Sequence, residues 1–218
     1  IVGFSFKKSD LGHIPNTWDI GPLSEIADMI SGFAFSSSNF VENGPLCVRM
    51  GNLYNNQFDQ SRSPVYLPKD FIKKYPKFSV NSSDLLISMT GTAGKRDYGF
   101  VVEVPRGFEQ GLLNQRVAKI LSKNSNSKKF ICELMRSEFY LEKLFAFGSG
   151  TKQANLSVKQ ILGIVVPIPP IDEQVKIGEI ISSIEKNVCQ TQQRLLHLQT
   201  LKDSLMQDLL LGRKRVNV

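Results

Sequence analysis

The residues of this chain best suited to chemistry are cations and amides on glycine-flanked stretches, not the nucleophiles and acid–base pairs of an enzyme. Gly91 to Tyr98 (GTAGKRDY) sets Lys95, Arg96 and Tyr98 on a turn after a short apolar run. Gly150 to Asn155 (GTKQAN) is a second loop, with Lys152, Gln153 and Asn155. Asn52, Asn55, Asn56, Gln57 and Arg62 form a polar stretch, and Lys69, Lys73, Lys74 and Lys77 a basic one. Lysine and arginine supply point charges for phosphate, whereas Arg, Asn and Gln can bond base edges through two atoms at once. The chemistry on offer is binding to a polyanion. The candidate DNA contacts are Lys95, Arg96, Tyr98, Arg62, Lys73, Lys74, Lys77, Lys152, Gln153 and Asn155.

Catalytic signatures fall short. A phosphate-binding P-loop needs G-x-x-x-x-G-K-[ST], but Gly91-Thr-Ala-Gly-Lys95 has the wrong glycine spacing and Arg96 replaces the hydroxyl. It reads as a tight turn bearing two cations. Ala146 to Gly150 (AFGSG) is rich in small residues, yet it follows a helical stretch and lacks the strand–loop–helix setting of an S-adenosylmethionine site. No methyltransferase Asn/Asp-Pro-Pro-Tyr/Phe tetrapeptide, serine nucleophile elbow or metal-binding His pair is present. Cys47, Cys132 and Cys189 are widely spaced and odd in number, and His13 and His197 stand far apart. A disulfide framework, a zinc site and a catalytic histidine are not expected.

These loops need a scaffold, and the pattern predicts an α+β one. Leu46–Met50, Asp84–Met89, Tyr98–Val104 and Arg116–Leu121 read as short strands, the last half-buried. Leu23–Ile30 carries apolar residues at i, i+3, i+4 and i+7 and reads as a helix, as does Lys128–Phe147. Val165 to Ile171 (VVPIPPI) packs three prolines into four residues and reads as a stiff extended segment.

Beyond it the character changes. Asp172 can cap a helix that runs from Glu173 to Leu211 without a proline and with Gly178 as its one glycine. A heptad fits it: position a at Ile181, Val188, Leu195, Lys202 and Leu209, position d at Ile177, Ile184, Thr191, Leu198 and Leu205. Eight of these ten are apolar, with Thr191 and Lys202 the exceptions. A lone helix with such a face is poorly stable, so a second helix from another chain is expected to cover it. The dimerisation residues are Ile177, Ile181, Ile184, Val188, Leu195, Leu198 and Leu205. The expected organisation is a recognition domain over 1–170, a spacer helix over 171–212 and a basic tail over 213–218.

Charge supports this division. The net charge is +7 over 218 residues. Twenty basic and 14 acidic residues precede Asp172, against seven and six from it onward, so the excess lies on the front domain. Hydrophobic residues at 41% exclude a disordered chain. No apolar run approaches the roughly 20 residues needed to span a bilayer, and Ile1–Lys8 lacks a signal-peptide core. A soluble, cytoplasmic chain is expected, and the opening Ile in place of Met suggests a trimmed chain or an excised half.

The same segments resemble the specificity subunits of Type I restriction-modification systems. The resemblance is carried by Leu11–Trp18 (LGHIPNTW) with Pro22–Ile26, Ser31–Phe35 (SGFAF), Asp84–Gly94 (DLLISMTGTAG), Leu113–Arg116 (LNQR), and Gly148–Ser157 (GSGTKQANLS) followed by Val166–Gln174 (VPIPPIDEQ). The last pair is the most specific, and together they cover nearly the whole chain. A full member of the family has two recognition domains and two long helices; this chain has one of each. The resemblance implies a non-catalytic DNA-reading subunit, a target-recognition domain followed by a coiled-coil helix that fixes the spacing of two half-sites. It also implies pairing with itself or with a second half, docking of a methyltransferase and a restriction subunit, and S-adenosylmethionine, ATP and Mg²⁺ held by those partners rather than here. Two other readings of the residues stand beside it: the specificity domain of a Type II-like methyltransferase or nuclease, and a coiled-coil interaction module without sequence-specific DNA binding.

Overall fold

The computed structural model describes residues 5–92, 94–147 and 153–216. They form two compact units divided between Val175 and Lys176.

In the first unit a four-stranded antiparallel sheet runs in the order Val101–Glu103, Leu85–Ser88, Val117–Ser122, Ala27–Ser31. A three-stranded sheet joins Val41–Val48 to Gly111–Leu113 in parallel and Gly111–Leu113 to Ser79–Val80 antiparallel. Leu46, Val48, Leu86, Val102, Leu113 and Val117 from both sheets share one core, and Phe35, Cys47, Leu67, Phe71 and Leu112 form another. Among the described residues the α-helices are α1 (Phe71–Lys74), α2 (Lys128–Arg136), α3 (Glu138–Ala146), α4 (Val158–Leu162) and α5 (Ile171–Leu210).

The α+β class stands, with three local corrections. Leu23–Ile30 is not a helix: a single 3-10 turn, Leu23–Glu25, leads into the strand Ala27–Ser31. Its register against Val117–Ser122, Ala118↔Ser31 through Ser122↔Ala27, fixes it as sheet, and Ala27 and Met29 point inward at strand period. The stretch Lys128–Phe147 is two helices, broken at Ser137. Its hydroxyl donates to Leu134 O and accepts from Tyr140 N, closing α2 and opening α3. The strand from Val117 is buried on both faces over Val117–Ile120, not half-buried. Lys119 is tolerated there because its ammonium meets the Asp84 carboxylate at 2.7 Å and donates to Ser79 O.

The proline-rich segment is extended as expected. Val165–Ile168 pairs with Asp19–Pro22 in a two-stranded ladder, where Pro167 costs little because no further strand needs its missing N–H. The first turn of α5 then belongs to the globular unit, so that unit extends five residues past 170. Gln174 is fully buried: its Oε1 accepts from Ser127 N at 3.0 Å, and its Nε2 donates to Asn126 Oδ1 and Pro169 O at 2.7 and 2.9 Å. Glu173 beside it accepts from the indole of Trp18 at 2.8 Å.

In the second unit α5 continues to Leu210, giving the helix roughly 60 Å in all at 1.5 Å per residue. Gly212, with φ +68°, ends it as a C-cap glycine, and its N–H bonds Leu209 O. Ile184, Val188, Leu195, Leu198 and Leu205 are 44–56% exposed, an apolar stripe without cover in the single chain. Ile177 and Ile181 are half-buried.

Candidate nucleic-acid interface

The turn bearing Lys95 and Arg96 is built from inside. Thr90–Thr92 pairs with Gln153–Asn155, Lys95 N closes the turn on Thr92 O at 3.0 Å, and the Asp97 carboxylate accepts from Thr92 N at 2.7 Å. Gly91 must lack a side chain, because a Cβ there would fall 2.4 Å from Asp97 Oδ1 and 2.6 Å from the Tyr98 ring. Lys95 and Arg96 consequently face solvent. Arg96 pairs with Glu138 and lies 5.1 Å over the Phe145 ring. Both partners of that ion pair are more than half exposed, so it is worth no more than about 1 kcal/mol, and Arg96 can turn to a phosphate at little cost.

Tyr98 is a correction. It is 2% exposed and meets Phe145 edge-on at 5.0 Å, and burial raises its phenol pKa. It is a core ring beneath the turn and not a DNA contact. Asn155 is exposed opposite Thr90. Lys152 lies outside the described residues, as does the side chain of Gln153.

The polar stretch around Asn52 divides into structural and free groups. Asn55 and Asn56, with φ of 51° and 56°, make the left-handed two-residue turn of the hairpin Leu53–Tyr54/Gln57–Phe58. Asn52 is buried, accepts from Arg49 N and donates to Asp59 O, while Asn56 accepts from Val101 N. Asn55, Gln57 and Arg62 remain outward, the Arg62 guanidinium 4.2 Å above the exposed Tyr54 ring.

Lys73, Lys74 and Lys77 are exposed on α1 and the turn after it. Lys74 sits 5.5 Å above Tyr75, whose ring is 4.9 Å from that of Phe33. Phe33 O in turn accepts from Gln115 N. Lys74 of α1 is thereby joined through tilted aromatic rings to the turn Asn114–Val117, between two buried strands. Met89 N donates to Arg116 O and Met89 O accepts from Leu156 N, which links the same turn to the Asn155 strand. The side chains of Arg62, Lys73 and Lys77 make no contact of this kind to it among the described residues.

Beside this turn lies a cleft of about 470 Å³, lined by Phe40, Arg49, Met50, Asn114, Gln115 and Arg116. The candidate set from sequence omitted Arg49, Gln115 and Arg116. The available signal was a polar pair set between two apolar strands. No cluster of three His, Cys, Asp or Glu able to hold a metal occurs among the described residues, and no described helix is long and apolar enough to cross a membrane.

Residues 15–199 match the model of the Type I restriction modification DNA specificity domain, and the chain belongs to that family. The matched domain is one of DNA specificity, not of catalysis. Among its relatives is the MjaVIII specificity subunit of Methanocaldococcus jannaschii, 31% identical over 97% of this chain and 50% of that protein. The EcoKI specificity subunit of Escherichia coli is 27% identical over 84% of this chain and 39% of its own length. In fold the chain is similar to the HsdS subunit of Thermoanaerobacter tengcongensis, with a TM-score of 0.59 at 17% identity over 93% of this chain and 47% of that one. It is also similar to a chain from a structural study of complex assembly in the Type I restriction-modification system, with a TM-score of 0.66 at 18% identity over 94% and 46%. The chain spans about half the length of the curated relatives it matches.

Proposed function

We propose that this chain reads one half of a bipartite double-stranded DNA target for a Type I restriction-modification enzyme. The observation that carries the reading is the family match running unbroken from the globular unit into α5. Lys95, Arg96, Arg62, Lys73, Lys74, Lys77, Lys152, Gln153 and Asn155 contact the duplex, the lysines and Arg96 chiefly at phosphates, which hold register without carrying sequence information. The exposed stripe of Ile184, Val188, Leu195, Leu198 and Leu205 supports pairing of α5 with the same helix of a second copy or second half. Such a pair sets a fixed distance between two half-sites, and linking the two binding events multiplies specificity through effective concentration. A methyltransferase subunit and a restriction subunit dock on this frame and supply S-adenosylmethionine, ATP and Mg²⁺ chemistry in the cytoplasm.

Affinity purification of the chain from its native cells, with mass spectrometry of the eluate, tests the assembly. A methyltransferase subunit is expected in stoichiometric amount. Recovery of scaffold proteins alone would replace this reading with that of an interaction module.

A further inference from the structure

We propose that Lys202 and Thr191 set the alignment of the α5 pair: Lys202 of each copy lies against Thr191 of a second copy of this chain, with the helices running antiparallel. The inference rests on the self-pairing read above and fixes its partner and its register.

The two polar residues of the seam decide the direction. In a parallel pair in register, Lys202 would meet its own counterpart, two like charges at one layer. In an antiparallel pair an a position meets a d position. With Lys202 opposite Thr191, Leu195 lies opposite Leu198, Val188 opposite Leu205 and Ile184 opposite Leu209. Polar then meets polar, and every other layer is apolar on both sides. A slip of one heptad sets Lys202 against Ile184 or Leu198, and Thr191 against Leu195 or Leu209. Such layers put an ammonium and a hydroxyl against hydrocarbon that cannot bond them.

The single chain leaves both groups ready for this contact. Thr191 Oγ1 donates to Asn187 O at 2.8 Å, so its lone pairs are left to accept from an ammonium. Lys202 lies 3.4 Å from the Asp203 carboxylate, with both side chains more than 60% exposed, a pair weak enough to give up at little cost.

The exposure of α5 gives an independent observation. Ile177 and Ile181 are half-buried, whereas the open stripe begins at Ile184, 54% exposed. The heptad closes at Leu209, 39% exposed, one residue before the helix ends. These two residues face each other in the proposed alignment, so the open stretch of one copy is covered end to end by the same stretch of the other. Along the flanks Gln192 faces Gln199 and Asn187 faces Asp208, and no like charges are opposed. A polar layer in an apolar seam lowers stability and selects one arrangement.

Nitroxide labels on the whole chain at Gln193→Cys or Gln207→Cys, with Cys189→Ser removing the exposed thiol, read the alignment by pulsed dipolar spectroscopy. Both positions lie on the side of the heptad away from the seam. Gln207 stands level with Lys186 of the second copy, and Gln193 with Thr200. At 1.5 Å per residue the two labels are offset along the axis by about 32 Å at Gln207 and about 10 Å at Gln193. Equal separations at the two positions mean parallel helices, and offsets changed by about 10 Å mean another register. Either result overturns the proposal while self-pairing stands. Thr191→Glu should tighten the dimer roughly tenfold in sedimentation equilibrium, since it offers Lys202 an ion pair twice per dimer. A weakened dimer overturns the role of the two residues. A wild-type monomer at tens of micromolar overturns self-pairing itself, and this alignment with it.

Discussion

The carboxylate of Glu173, in the first turn of α5, accepts a hydrogen bond from the indole Nε1–H of Trp18 at 2.8 Å, joining positions 155 residues apart in the chain. With Gln174 buried beside it and bonded to Ser127, Asn126 and Pro169, the root of the long helix is fastened into the globular unit by side chains of two consecutive residues.

Loss of this anchor has a local reporter, because Trp18 is the only tryptophan. Glu173→Ala is expected to shift its fluorescence and to lower stability by about 1 kcal/mol, the usual worth of one such bond. Gln174→Leu should cost more, about 3 kcal/mol, since it leaves the Ser127 N–H, Asn126 Oδ1 and Pro169 O without their partner. Denaturant titration followed by tryptophan emission measures both.

The thiols should differ sharply in reactivity. Burial pushes the Cys132 thiol up to about 12 and raises that of Cys47, while Cys189 is exposed on α5. A raised thiol pKa means less thiolate at a given pH, and the thiolate is the nucleophile. Alkylation of the native protein near pH 8, read by peptide mass spectrometry, should label Cys189 and spare Cys47 and Cys132. The same sign applies to stability. The unfolded chain gives up its Cys132 proton near the ordinary thiol value of 9.0, whereas the folded chain holds it to about 12, so folding weakens as pH rises through that window.

Covering the α5 stripe should hold two chains together. Each fully buried Val or Leu contributes roughly 1.5–3 kcal/mol, so charging two of them removes enough to separate the pair. Val188→Asp with Leu195→Asp is expected to convert a dimer to a monomer in sedimentation equilibrium at tens of micromolar, with the helical signal of the globular unit intact. A wild-type monomer at that concentration would contradict self-pairing of this chain.

Lys95 stands on a turn fixed by Asp97 and makes no ion pair among the described residues. Lys95→Ala should lower the slope of log affinity against log salt by about 0.9, the share of one phosphate, and weaken all duplex sequences alike. Fluorescence anisotropy over a salt series measures it. An unchanged slope would remove Lys95 from the interface.

Much of the fold was legible from local pattern. The apolar runs at Leu46, Leu85, Val101 and Val117 became strands, VVPIPP became the extended partner of Asp19–Pro22, and the heptad became α5. Errors arose where distant partners decide. Over Leu23–Ile30, eight residues fit a helical period and a strand period equally, and the choice was made by pairing with Val117–Ser122, about 90 residues away. Tyr98 follows Lys, Arg and Asp and reads as surface, yet Phe145 closes over it. Asn52 and Asn56 read as part of a polar stretch, but they satisfy backbone groups of Arg49, Asp59 and Val101. The exposure of Gln115 and Arg116 beside the cleft follows from how Val48, Phe33 and Met89 hold the turn beneath them, and its one local signal was a polar pair set between two apolar strands.

Genome-wide mapping of methylated bases, in native cells with and without the gene for this chain, tests the DNA-reading function most directly. Loss of methylation at one bipartite motif in the deletion strain, restored by the intact gene, is the expected result. A methylation pattern that does not change on deletion would contradict it.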